Sequence, residues 1–135
     1  SGNPPRVAKT TIKIEGKQAQ RYFCGEAARM GNLALVRWLR EVKKFDWSQW
    51  TISSAAKHGH LHIVTYCTEQ KCPRGSLTCA DAAKFGHLDI LKYLHENGAP
   101  WSSWTCYYAR ENNHLECLLY ALDNGCQNDK HVPQH

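Results

Sequence analysis

Thr78 to Leu94 reads TCADAAKFGHLDILKYL. It combines a run rich in small residues, a Gly-His break and a second run rich in aliphatic residues. Set on the glycine, the same unit recurs at Gly31, Gly59 and Gly86, with Asn113 in the fourth place, so the spacings are 28, 27 and 27 residues. A fixed period of this size predicts a stack of supersecondary units rather than one globular core.

Within each unit the first run carries an alanine pair, Ala27-Ala28, Ala55-Ala56 and Ala82-Ala83. Small residues at a fixed place let neighbouring helices approach closely. The break residue is expected to end this helix in a left-handed conformation, which costs glycine nothing and for which asparagine is the usual substitute. Thr51, Thr78 and Thr105 stand at the other end and are expected to cap the helix with their hydroxyls.

The second run follows a leucine (Leu33, Leu61, Leu88, Leu115). Apolar residues come two, three, five and six places later: Leu35, Val36, Trp38, Leu39; Ile63, Val64, Tyr66, Cys67; Ile90, Leu91, Tyr93, Leu94. At about 100° per residue these cover all but a narrow strip of a helix. That helix must be buried on several sides. The strip holds Arg37, His62, Thr65, Asp89, Lys92 and Glu116 and is expected to face water. The last unit departs twice: Leu119 enters the strip, and Arg110 replaces the second alanine. Terminal repeats are commonly atypical in this way.

Working outward, the connections carry Trp47-Ser-Gln-Trp50-Thr51 and Trp101-Ser-Ser-Trp104-Thr105, with Arg74-Gly-Ser-Leu77-Thr78 between them. Pro73 and Pro100 predict tight turns after the second helix. Trp50 and Trp104 are read as packing that seals these turns, with Trp47 and Trp101 nearer the rim.

The segments AAKHGHLHIVTYC, AAKFGHLDILKYLHENGAP and ARENNHLECLLYALDNGC resemble the ankyrin repeat, with its alanine pair, Gly-His-Leu break, aliphatic second helix and closing Asn-Gly-Ala. The resemblance covers roughly residues 20 to 127. The ankyrin period is about 33 residues with a T-P-L-H opening, so the resemblance implies a shortened variant, whose missing residues fall where ankyrin repeats carry a β-hairpin. The implied fold is an all-α, ankyrin-like helical-hairpin repeat solenoid with clipped or absent β-hairpins. Its expected division is an N-terminal arm (1–20), four repeats (about 21–48, 49–75, 76–102 and 103–127, together 21–127) and a C-terminal tail (128–135). The resemblance also gives His60, His87 and His114 a structural role, hydrogen bonding to loop backbone.

Charge and composition narrow the function. The chain is 42% hydrophobic, 21% charged and carries a net charge of +5. No run approaches the roughly 18 apolar residues that a membrane span needs. Ser1-Gly2 reads as a protease scar, which implies that the chain is a piece of a longer protein. The basic residues Arg6, Lys9, Lys13, Lys17 and Arg21 make the arm cationic; such a run is usually solvated chain, expected here to be partly mobile.

Seven cysteines suggest disulfides or zinc. The register argues otherwise: Cys24, Cys79 and Cys106 match Ile52; Cys117 matches Leu35, Ile63 and Ile90; Cys67 matches Leu39 and Leu94; Cys72 and Cys126 match Ala99. Cysteine at such positions behaves as a small hydrophobe. Stacked helices lie about 8–10 Å apart, beyond the roughly 7 Å Cα separation that a disulfide tolerates. Reduced thiols indicate a cytoplasmic or nuclear location. No phosphate loop, G-x-S-x-G or H-E-x-x-H occurs. No enzyme activity, catalytic residue, cofactor or metal site is therefore expected.

The expected function is a protein–protein interaction module that presents a concave helical-repeat surface and acts as a monomer, away from membranes. Its candidate contact residues are those of the first helices and loops that do not keep the register: Glu26, Ser53, Ser54, Ala80, Asp81, Tyr107 and Tyr108, with Trp47, Arg74 and Trp101 on the loop rim. The alternative is nucleic-acid or acidic-partner binding through the basic arm with Lys43, Lys44, Lys71 and Arg74. The basic residues are interleaved with acids and carry no base-reading motif, so nucleic acid is the lesser expectation.

Overall fold

The computed structural model describes residues 16–127. The basic arm before residue 16 and the tail after residue 127, with what was expected of them, lie outside the described residues. Within them the chain is all-helical: α1 (Lys17–Arg29), α2 (Leu33–Arg37) continued by a π-helical turn (Trp38–Val42), α3 (Gln49–Lys57), α4 (Leu61–Glu69), α5 (Ser76–Lys84), α6 (Leu88–Glu96), α7 (Ser103–Glu111) and α8 (Leu115–Asp123). Helices pair as α1/α2, α3/α4, α5/α6 and α7/α8, giving four hairpins. Helix α1 begins at Lys17, so it takes up the last residues assigned to the arm.

Each first helix stops for the reason its sequence suggests. Gly31, Gly59, Gly86 and Asn113 have φ of 76°, 81°, 77° and 61°. The following amide reaches back to the helix: His60 N–H to Ala55 O (2.9 Å), His87 to Ala82 and His114 to Ala109 (both 2.8 Å). These bonds satisfy carbonyls that the helix end leaves open. The second helices end the same way, with Lys44, Lys71, Gly98 and Gly125 at positive φ. Cys72 N–H reaches Cys67 O, Ala99 reaches Leu94 and Cys126 reaches Ala121, all at 2.9 Å.

The 28-residue spacing of the first unit has a local cause. Leu39 and Phe45 occupy the places of Cys67 and Cys72, yet one more residue separates them. A π-helical turn absorbs that residue: Lys43 N–H bonds Trp38 O (3.1 Å), and Phe45 N–H bonds Leu39 O (2.9 Å).

The capping expectation is corrected. Ser48 and Ser102, not the threonines, cap α3 and α7, accepting from Trp50 N–H and Trp104 N–H. Gly75 holds that place before α5. Thr51, Thr78 and Thr105 lie three residues further in, fully buried. Thr78 Oγ1 meets Ser53 Oγ at 3.0 Å, whereas the Thr51 and Thr105 hydroxyls have no hydrogen-bond partner among the described residues.

The core runs the length of the stack. The three alanine pairs are buried, as are Val36, Ile63, Val64, Ile90, Leu91 and Leu94. Each of these larger side chains contributes about 1.5–3 kcal/mol by leaving water. The strip expected to face water is exposed at Arg37, His62, Asp89, Lys92 and Glu116 and half-buried at Thr65. First helices stack on one another more closely than second helices do. The connections at 43–48, 70–75 and 97–102 contain no strand.

All seven cysteines are buried and free, in the places of their aliphatic counterparts. Spacing between stacked helices does not govern contacts inside one repeat, however. There the loop places Cys72 in the main core with Cys67 and Cys126 in one buried cluster with Cys106.

Candidate interaction surface

The first helices leave one face uncovered. Positions i, i+4 and i+7 of a helix share a face, and on successive first helices these positions form three rows. The first row is Tyr22, Trp50, Leu77 and Trp104; the second is Glu26, Ser54, Asp81 and Tyr108; the third is Arg29, Lys57, Lys84 and Glu111. An apolar ridge thus runs along the N-terminal half of the stacked helices, with a largely basic ridge along their C-terminal ends.

The apolar ridge is open to solvent. Tyr22 is 56% and Leu77 57% exposed, and Trp50 and Trp104 are half-buried. Tyr22 stacks on Trp50 with centroids 5.5 Å apart. The Trp50 ring in turn occupies the space above Gly25 that a side chain there would need. At the other end, Trp104 stacks on Tyr108 (5.4 Å) and meets the Tyr107 edge (5.3 Å). Lys84 Nζ lies 4.9 Å from the Tyr108 ring centre and 5.7 Å from that of Phe85, within the range of cation–π attraction.

Charges on this face are arranged in pairs. Arg29 bridges Glu26 at 2.9 Å. Burial raises the Asp81 pKa, and the Lys57 and Lys84 charges oppose that rise. A carboxylate held partly out of water and stabilised by nearby cations is a ready acceptor for a hydrogen bond.

The ten residues singled out from sequence separate into distinct environments. Glu26, Asp81, Tyr107 and Tyr108 lie on the first helices of separate repeats, α1, α5 and α7, and of these the two tyrosines are in contact (5.4 Å). Ser53, on α3, is half-buried and tied to Thr78. Ser54 (3% exposed) and Ala80 (1% exposed) are covered by the adjacent repeats and offer nothing to a partner. The three rim residues turn away from this face. Trp47 is 6% exposed, against the edge of Tyr66 (6.0 Å) on α4 and under the Arg40 guanidinium (4.6 Å). Trp101 stacks on His95 (4.0 Å) of α6, with Tyr120 of α8 at its edge (6.3 Å). Arg74 donates to Asn97 O at 2.8 Å. Each rim residue therefore packs toward the second helices.

Sequence reading missed the apolar ridge itself. Its signal was present, since Tyr22, Trp50, Leu77 and Trp104 share one register. Assigning Trp50 and Trp104 to turn sealing concealed it.

The histidines sharing a register are spread along the stack. His60 Nε2 bonds Arg29 O and His87 Nε2 bonds Lys57 O, both at 3.1 Å. Their acceptors are carbonyls at the end of the preceding first helix. Among the described residues no three metal-ligating side chains come together, and no helix is long and apolar enough to cross a membrane.

The family model for ankyrin repeats (many copies) matches residues 79–120, from within α5 to within α8. That similarity and the all-helical repeat architecture are consistent with an ankyrin repeat family. No curated protein matches the chain. Ankyrin repeats are generally protein–protein interaction modules and typically non-enzymatic.

Proposed function

We propose that the chain binds another protein across the first-helix face, with the Tyr22–Trp50–Leu77–Trp104 ridge as its apolar anchor. Tyr107 and Tyr108 extend that anchor, and Asp81, Lys57 and Lys84 set its polar register. The observation that carries this reading is Leu77. It is an aliphatic side chain, 57% exposed, held between two tryptophan positions of one row. Aromatic and aliphatic anchors flanked by charged groups are the usual make-up of an interface centre and its rim. In this reading the protein is a monomeric scaffold in the cytoplasm or nucleus. Its seven unpaired thiols support that location.

The test places a photo-crosslinking amino acid at position 77 and, separately, at position 119 on α8, in cells of the source organism. A protein captured from position 77 and lost with Trp104→Ala supports the reading. Equal capture from both positions, or capture indifferent to Trp104, removes it.

A further inference from the structure

We propose that Cys106 and Cys126 are an oxidation-sensitive dithiol that closes to a disulfide when the chain meets hydrogen peroxide or a comparable two-electron oxidant. Cys106 lies on α7, and Cys126 lies in the segment after α8, where the Cys126 N–H→Ala121 O bond fixes the backbone (2.9 Å). Cys126 Sγ donates at 3.2 Å to the carbonyl of Ser102, which caps the helix that carries Cys106. The two cysteines belong to one buried cluster. With Ala121 they form a small apolar cluster at the last repeat, apart from the main core and packed by Trp101 and Leu118.

The two sulfurs are not equivalent. Cys106 is fully buried on α7, whereas Cys126, in the segment after α8, keeps 6% of its surface exposed. Cys126 is thus the sulfur that oxidant reaches and that attacks, and Cys106 is the one that resolves. The Cys126 thiolate attacks one peroxide oxygen: an S–O bond forms, the O–O bond breaks, and hydroxide leaves to take a proton as water. The Cys106 sulfur then attacks the sulfenic sulfur. An S–S bond forms, the S–O bond breaks, and the departing hydroxyl leaves with the Cys106 proton as a second water. Two thiols and one peroxide give one disulfide and two waters.

Position separates this pair from its counterpart. Cys67 and Cys72 lie together in the main core, and Cys72 Sγ donates to Ser48 O at 3.4 Å. That pair sits in the second repeat, with packed repeats on both sides. The terminal repeat is looser: Leu118 is half-buried, whereas its counterparts Val36, Val64 and Leu91 are fully buried. Local opening draws on regions of low packing, so oxidant reaches Cys126 first. The resulting bond would tie the end of α8 to α7, which carries Trp104, Tyr107 and Tyr108.

The full chain is treated with limiting peroxide, and its peptides are mapped without reduction. The expected product is lighter by two hydrogens and holds one crosslink, between the Cys106 and Cys126 peptides. Cys126→Ala, which places at that register the residue native at Ala99, abolishes the mass loss. Cys72→Ala leaves it intact. A Cys67–Cys72 bond forming first, sulfinic acid accumulating on Cys126 without a crosslink, or a crosslink appearing only in denaturant would each overturn the proposal. The wild-type map alone decides among these should a variant fail to fold.

Discussion

His87 joins two repeats through both faces of its chemistry. Its Nε2 bonds Lys57 O at 3.1 Å. Its ring also lies against Gly59, so that a Cβ built there would come within 2.8 Å of the ring Cε1. A carbonyl can only accept, so Nε2 carries the proton. His60 repeats the arrangement with Arg29 O and Gly31. The first repeat holds Asn32 at this register, which instead caps α2 by accepting from Leu35 N–H at 3.0 Å.

This predicts the outcome of His87→Asn. The substitution supplies a side chain already native at the register in the first repeat, but one that cannot span to Lys57 O. Loss of one partly buried hydrogen bond is expected to cost about 1 kcal/mol, more if the carbonyl is left without water. Urea unfolding measures it. Unchanged stability would show that the inter-repeat bond is exchanged freely with solvent.

The glycines give a second prediction, in which backbone and contact effects come apart. Gly59 and Gly125 both have positive φ, 81° and 88°. A Cβ at Gly59 meets the His87 ring, whereas at Gly125 nothing among the described residues lies within 4 Å. Gly125→Ala should cost only the left-handed backbone penalty, about 1–2 kcal/mol. Gly59→Ala should cost about 1 kcal/mol more, because the imidazole must move and its hydrogen bond is lost. Equal losses in thermal melts would mean that the ring relocates without penalty.

Most of the stack was legible because its signals are periodic. The glycine and asparagine breaks, the alanine pairs and the aliphatic pattern each point to one face or one end of a helix, and four copies reinforce them. The threonines misled because a hydroxyl near a helix start suggests a cap. Ser48 and Ser102 precede them by three residues and take the role, and Thr51 and Thr105 are buried instead. Trp47 and Trp101 misled because a loop position does not reveal which side of the stack the ring turns toward. The Cys106–Cys126 cluster was hidden by attention to spacing between repeats, when the decisive approach is inside one.

The π-helical turn yields a third prediction. Between Leu39 and Phe45 lie five residues, where four lie between Cys67 and Cys72. Val42 is 43% exposed within this stretch. Deleting it aligns Glu41 with Glu69 and Lys44 with Lys71, restoring the 27-residue period. The shortened chain is expected to fold, with stability within about 1 kcal/mol of the parent, since surface changes away from buried groups are usually small. Glu41 Oε2 accepts a 2.6 Å bond from the Tyr66 hydroxyl. A much larger loss would show that the extra residue is needed to place that carboxylate.

A fourth prediction concerns alkaline pH. Burial pushes the Cys24 and Cys79 thiols up from 9.0 to about 12, and Cys117 up to about 11. Below pH 9 these thiols are protonated in both folded and unfolded chains, so their contribution to stability is fully present. Between pH 9 and about 11–12 the unfolded chain releases protons that the folded chain retains. Stability must therefore fall as pH rises through this window. Cys79→Ala should make the decline shallower, because one of the groups responsible no longer titrates. The measurement is the urea midpoint as a function of pH for both chains. A flat wild-type profile from pH 9 to 11, or parallel declines in the two chains, would show that these thiols ionise in the folded state as readily as in the unfolded one. That outcome would also contradict their tight burial between repeats.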